Sequence, residues 1–263
     1  MISSMQKAII KKDFLSVVTN RQLLPAFIVV PIVFTVFLPT LFILINHFSP
    51  GDMAELQTLL DMMPANRQGE ALNRVFLSLI LNYIMPIFFT IIPIMASSIT
   101  AGSSFVGEKE KRTLETLLYS PLTLRKIFQS KVWASFLLSM AVSVASFIVM
   151  LITVETGVFL TTGSLLPPDV SWLVIMLLVS PAVSLLAITL IVRGSAKART
   201  VEESQQRAVF LIMPLMLLVV GQFTGLILVS AWYLFGIGSV IAVISAVLMK
   251  RSMHKFTYEI LLR

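Results

Sequence analysis

Apolar residues along this chain fall in long unbroken runs, not in the short alternations or narrow stripes of a water-soluble domain. A helix that crosses a bilayer needs about 20 mostly apolar residues. Four such runs stand out, at residues 23–46, 75–105, 132–154 and 170–192. Residues 208–249 then carry no charged side chain. As one helix that run would be about 63 Å long at 1.5 Å per residue, roughly twice the hydrocarbon core. It must fold back, and Gly221, Gly225, Ser230 and an interfacial Trp232 place the turn within 221–232. The pattern predicts an all-α membrane protein of six transmembrane helices, with residues 1–263 forming a single transmembrane domain.

The polar segments between the runs set the orientation. With both termini on the cytoplasmic side, eighteen of the 20 Lys and Arg residues fall in inside segments, and only Arg67 and Arg74 lie outside. Basic residues accumulate on the cytoplasmic side of membrane proteins, so both ends are expected there. The outside loop 47–74 leans acidic and has room for a short amphipathic helix carrying Leu56, Leu59, Leu60 and Met63. The second outside loop, 155–169, ends in Pro167-Pro168. Residues 1–22 place Ile2, Met5, Ile9, Phe14, Val17 and Val18 roughly on one helical side, with Ser3, Lys7, Lys11 and Lys12 toward the other. That arrangement predicts an amphipathic helix lying in the membrane interface.

Composition agrees. Hydrophobic residues make up 57% and charged residues 13%, and mean hydropathy is +0.94. These values exclude a soluble globular domain, which holds about a quarter charged residues. The net charge of +7 is explained by the inside segments, with no call for a nucleic-acid partner. With no cysteine there is no disulfide, thiol nucleophile or thiolate metal site. No ionisable residue falls deep in a predicted span, which argues against a proton-driven carrier, since such proteins keep one near the midplane. Asn82 and the series Ser135, Ser139, Ser143 and Ser146 are the notable polar groups in the spans. Their small size and helical spacing favour helix packing over a lining of a substrate path. Pro86 and Pro93 are expected to bend the second span.

One connector is richer than a connector requires. Residues 107–121, GEKEKRTLETLLYSP, begin with Glu108 and Glu110, which favour a helix N-terminus. Leu114, Leu117 and Leu118 then form an apolar ridge at i, i+3 and i+4, and Ser120-Pro121 stops the helix. Thr123 is placed to cap the helix that leads into span three. A short helix with an apolar ridge and a charged rim is a docking surface.

The stretch GEKEKRTLETLLYSPLTLRKIFQSK (107–131) resembles the corresponding loop of permease subunits in the type-2 exporter class of ATP-binding-cassette (ABC) transporters. RGSAKARTVEESQQR (193–207) resembles the polar loop between their fourth and fifth spans, and the six-span layout agrees over essentially the whole chain. Lys111-Arg112 departs from the Arg-Gly of many relatives. The resemblance implies that residues 108–119 form a cytoplasmic coupling helix seated in a separate ATP-binding subunit. Glu108, Lys109, Glu110, Arg112, Thr113 and Glu115 would be the polar contacts, with Leu114, Leu117 and Leu118 as buried anchors. It further implies two ATPase subunits, a second copy of this permease or a homologous one, and a prokaryotic plasma membrane. ATP and Mg would be bound by the partner, and this chain would bind no cofactor. The nearest approach to a phosphate-binding loop, Gly102 to Lys109, places Glu108 where that motif has its lysine.

Two rival readings come from other classes. Glu202-Glu203-Ser-Gln-Gln-Arg207 resembles the EExxxR motif of CAAX-type intramembrane proteases, but His47 and His254 fall at opposite ends of the spans and supply no positioned partner. A structural membrane subunit without a transport path is the other. The apolar spans fit a lipid-like, peptide or drug-like amphiphile, and sodium is also exported within the resembled class.

Overall fold

The computed structural model describes residues 4–21, 23–48, 77–110, 123–195, 198, 200–223 and 231–255. An N-terminal helix, α1 (Ser4–Val18), precedes six helices long and apolar enough to cross a membrane. These are α2 (Leu24–Phe48), α3 (Leu77–Glu110), α4 (Leu124–Thr162), α5 (Val170–Ser195), α6 (Val201–Phe223) and α7 (Ala231–Lys255). No strand occurs among the described residues. The chain is a multi-pass, all-helical integral membrane protein, as its apolar runs predict.

The bundle is built around α3. In its most apolar window 83% of residues are buried, against 17%, 14% and 17% for α2, α6 and α7. The outer helices instead turn large apolar side chains such as Phe37, Leu217 and Val243 outward, which suits lipid or another protein and not water. On the inner side, Met85, Phe89 and Ile92 of α3 pack with Ile43 of α2, Met150 of α4 and Trp172 of α5. The Phe89 ring meets Trp172 edge-on at 5.6 Å between centroids.

Prolines shape the long helices in a regular way. Wide π turns occupy Val33–Phe37, Ile80–Ile84 and Ile175–Val179. Each ends two residues before a proline, respectively Pro39, Pro86 and Pro181. A proline lacks an N–H and its ring clashes with the carbonyl four residues back. An extra residue in the turn relieves the clash and frees a carbonyl for other donors. Leu81 O uses that freedom to accept from Trp172 Nε1 at 3.0 Å. Pro93 has a different effect: the helix breaks at Thr90, whose N–H bonds back to Ile87 O.

Some polar groups in the spans bridge neighbouring helices. Ser135, Ser139, Ser143 and Ser146 are all buried. Ser139 Oγ donates to Pro93 O at 3.0 Å and lies 3.0 Å from Ser184 Oγ, tying α3, α4 and α5 at one level. Asn82 Oδ1 accepts from the Asp169 N–H at the start of α5.

Three features differ from the sequence expectation. Helix α4 continues to Thr162, so the loop expected at 155–169 is confined to residues 163–169. The threonines at 153, 156, 161 and 162 return their hydroxyls to carbonyls four residues earlier, which lets polar side chains stay helical. Gly163, at φ 70°, then closes the helix through its N–H to Phe159 O. Thr123 does stand at the start of α4, but its hydroxyl makes no capping bond. Helix α1 forms, yet it buries Asp13 and Val17 while Phe14 and Val18 stay exposed. The turn at 224–230 and Leu56, Leu59, Leu60 and Met63 lie outside the described residues.

Candidate functional site

The last turns of α3 carry a fourth π turn, Gly102–Val106, and no proline follows it. Packing is tight at its start. Gly102 lies so close to α6 that a Cβ there would come 2.8 Å from Ser204 Oγ. The extra residue rotates the end of α3, and Ser104 and Glu108 both turn into the protein, where each is buried.

Around them closes a polar cluster drawn from three helices. Ser104 Oγ donates to Asp13 Oδ2 of α1 at 2.6 Å. The Lys131 ammonium of α4 donates to Ser104 O, a carbonyl available at the π turn. The same ammonium pairs with Glu108 Oε2 at 2.6 Å and lies 5.5 Å from the Phe105 ring centre. Lys12 of α1 pairs with Glu108 Oε1 at 2.7 Å from a more exposed position. Two carboxylates thus face two ammonium groups, so the cluster is formally neutral. That balance is what allows burial, because an unpaired charge there would carry its full desolvation cost.

Burial, the largest influence, pushes the Asp13 carboxyl above the usual carboxylate range; the Lys131 charge and the Ser104 hydrogen bond pull it only part of the way back. Burial acts to lower Lys12, but the hydrogen bond and charge of Glu108, helped by Asp13, outweigh it and leave Lys12 raised.

Glu110 reaches the other way. Its Oε2 accepts from Val201 N at 3.2 Å, at the positive N-terminus of α6. Thr200 Oγ1 caps the same helix by accepting from Glu203 N at 3.2 Å. The stem of the charged loop is therefore held on one side by α1 and α4 and on the other by α6.

Of the predicted docking residues, the structure places Glu108, Lys109 and Glu110. Glu108 is turned inward and committed to Lys12 and Lys131, not to an open rim, because the π turn rotates it off the surface. Lys109 is half-buried and Glu110 is exposed. Arg112, Thr113, Leu114, Glu115, Leu117 and Leu118 lie outside the described residues. Sequence reasoning missed Asp13, Ser104 and Lys131. The available signal was Asp13, the lone acid in a basic N-terminal helix. Glu202 and Glu203 are exposed in the first turn of α6, while His47 ends α2 at the opposite face of the bundle. Among the described residues no group of three or more His, Cys, Asp or Glu is placed to hold a metal ion.

Six apolar helices around a buried axis, with a charged loop rooted at one end, define a polytopic membrane protein with a candidate attachment point for another subunit. The model of the ABC-2 family transporter protein matches residues 7–231, and the chain belongs to that family. It is a permease, a membrane-spanning transporter subunit of a family whose members generally pair with ATP-binding subunits and typically lack an ATPase site of their own. No curated protein and no solved structure matches the chain.

Proposed function

We propose that the chain is the membrane subunit of an ATP-driven exporter, with residues 108–119 as the coupling segment that docks on a separate ATP-binding subunit. The observation that carries this reading is the stem of that segment. Glu108 is anchored to α1 and α4, and Glu110 to the start of α6, so a push on the loop is delivered to three helices at once. A plain connector has no need of such bracing. In this reading Glu108 anchors the stem, while Leu114, Leu117 and Leu118 supply the docking contacts with Lys109, Arg112, Thr113 and Glu115 beside them. Two such permeases and two ATPase subunits form the working unit. ATP and Mg are bound by the partner, the termini face the cytoplasm, and the membrane is a prokaryotic plasma membrane. The cargo is an amphiphile, lipid-like or peptide-like, in keeping with predominantly apolar spans.

The test is co-purification with a co-expressed candidate ATP-binding subunit, together with hydrolysis by the complex. Leu114→Asp and Leu117→Asp should release or uncouple the ATPase, since an unpaired carboxylate in an apolar groove costs a few kcal/mol and docking energy concentrates in a few central residues. Wild-type association and hydrolysis in both variants would sink the coupling assignment.

A further inference from the structure

Between α4, α5 and α7 lies an apolar cavity of about 340 Å³. Phe128, Val132, Trp133 and Phe136 of α4, Leu185 of α5 and Met249 of α7 line it, and Gln129 is its one polar side chain. Trp133 is 49% exposed and meets Phe136 edge-on at 6.0 Å, so an indole stands at the mouth. The cavity sits near the basic end of the bundle. Arg125 precedes Gln129 by four residues and so shares its face of α4. Lys126 follows Arg125, and Lys250 and Arg251 directly follow Met249 on α7. All four side chains are exposed, and among the described residues none of them pairs with a carboxylate.

Arg193 of α5 behaves differently. Its Nε donates to Ser252 Oγ at 2.9 Å and its Nη2 to Leu248 O at 3.4 Å. It pins α7 against α5 and so maintains one wall of the cavity. Among the described residues, the four cations on α4 and α7 make no comparable contact.

An apolar slot whose flanking helix ends carry exposed cations, none of them paired with a carboxylate among the described residues, matches one kind of molecule, with an anionic head and a hydrocarbon tail. We propose that this is a binding site for an anionic phospholipid, with an acyl chain in the slot and the phosphate between Arg125 and Lys250. Basic pockets between membrane helices recognise acidic headgroups in this way. A second copy of the chain would bring its own basic end to the same level and set cation against cation. A neutral apolar ligand would leave the rim unused.

Purified, delipidated protein is titrated with phosphatidylglycerol and with phosphatidylcholine of identical chains, and bound lipid is counted by native mass spectrometry. Phosphatidylglycerol should bind at least tenfold more tightly. Arg125→Gln with Lys250→Gln should remove most of that preference, and Leu185→Trp, which fills the slot, should remove binding of both lipids. Glycerophosphoglycerol, the headgroup without tails, should not compete. Because Leu185→Trp could disturb the fold, its helicity and melting are compared with wild type, and Met249→Phe provides a second, milder filling. Equal binding of the two lipids overturns the proposal. So does a preference that survives both the charge and the filling variants, or displacement by the free headgroup.

Discussion

At the scale of single residues, the buried cluster makes sharp demands. Glu108→Ala should cost about 3 kcal/mol, the low end of the range for breaking a buried ion pair, because Asp13 still faces the Lys131 ammonium. Lys131→Met should cost a similar amount, and the double variant Glu108→Leu with Lys131→Met should lose clearly less than the two single losses added together. Thermal melting of the purified chain reads all of these, and strict additivity would show that the two side chains do not interact. Asp13 brings a pH dependence. Its folded pKa lies above the ordinary 3.8, so the folded state holds the proton more tightly than the unfolded chain. The stability this contributes is present at acid pH and is lost as pH rises through the folded value. Asp13→Asn, which mimics the protonated form, should therefore gain on wild type as pH goes from about 4 to about 7, and the opposite slope would contradict the burial of Asp13. This cluster was barely legible in the sequence. Lys131 read as a loop charge because it stands one residue before an apolar run, and only its contacts with Ser104 and Glu108 of α3 show it turned inward.

The elements were more legible than their details. Apolar run lengths located every span, since the hydrocarbon core sets a hard minimum that few other structures meet. Prolines announced bends in α3, but no sequence rule distinguished the π turn before Pro86 from the break before Pro93. The fourth π turn, where α6 comes close, had no proline to announce it. That approach can be tested. Gly102→Ala would force Ser204 Oγ, 2.8 Å from the new Cβ, to rotate and give up its 2.7 Å bond to Val201 O, a modest loss. Gly102→Val should wedge α3 from α6 and cost about 1–3 kcal/mol, as overpacking does. The same wedge should weaken the coupling of ATPase activity to the bound permease more than it weakens assembly. Equal melting temperatures for wild type and Gly102→Val would show that the two helices are not in close contact.

For the whole molecule, the absence of cysteine permits a clean test of topology. With a membrane-impermeant thiol reagent on intact cells, Asn66→Cys and Thr162→Cys should label, while Thr113→Cys and Glu203→Cys should not. Glu203 suits the test because it is exposed, whereas its neighbour Ser204 is fully buried. Labelling at Glu203 would place the start of α6 on the wrong face and break the arrangement of six spans with both ends inside. The clasp between α1 and the bundle also has a consequence for how the chain is made. Lys12 and Asp13 leave the ribosome first, yet their partners Ser104 and Glu108 follow 91 and 96 positions later. At about 5–20 residues per second, the first helix waits roughly 5–20 s before anything exists to fasten it. Insertion of the early spans must proceed without its help, and the clasp closes only once the end of the second span has arrived.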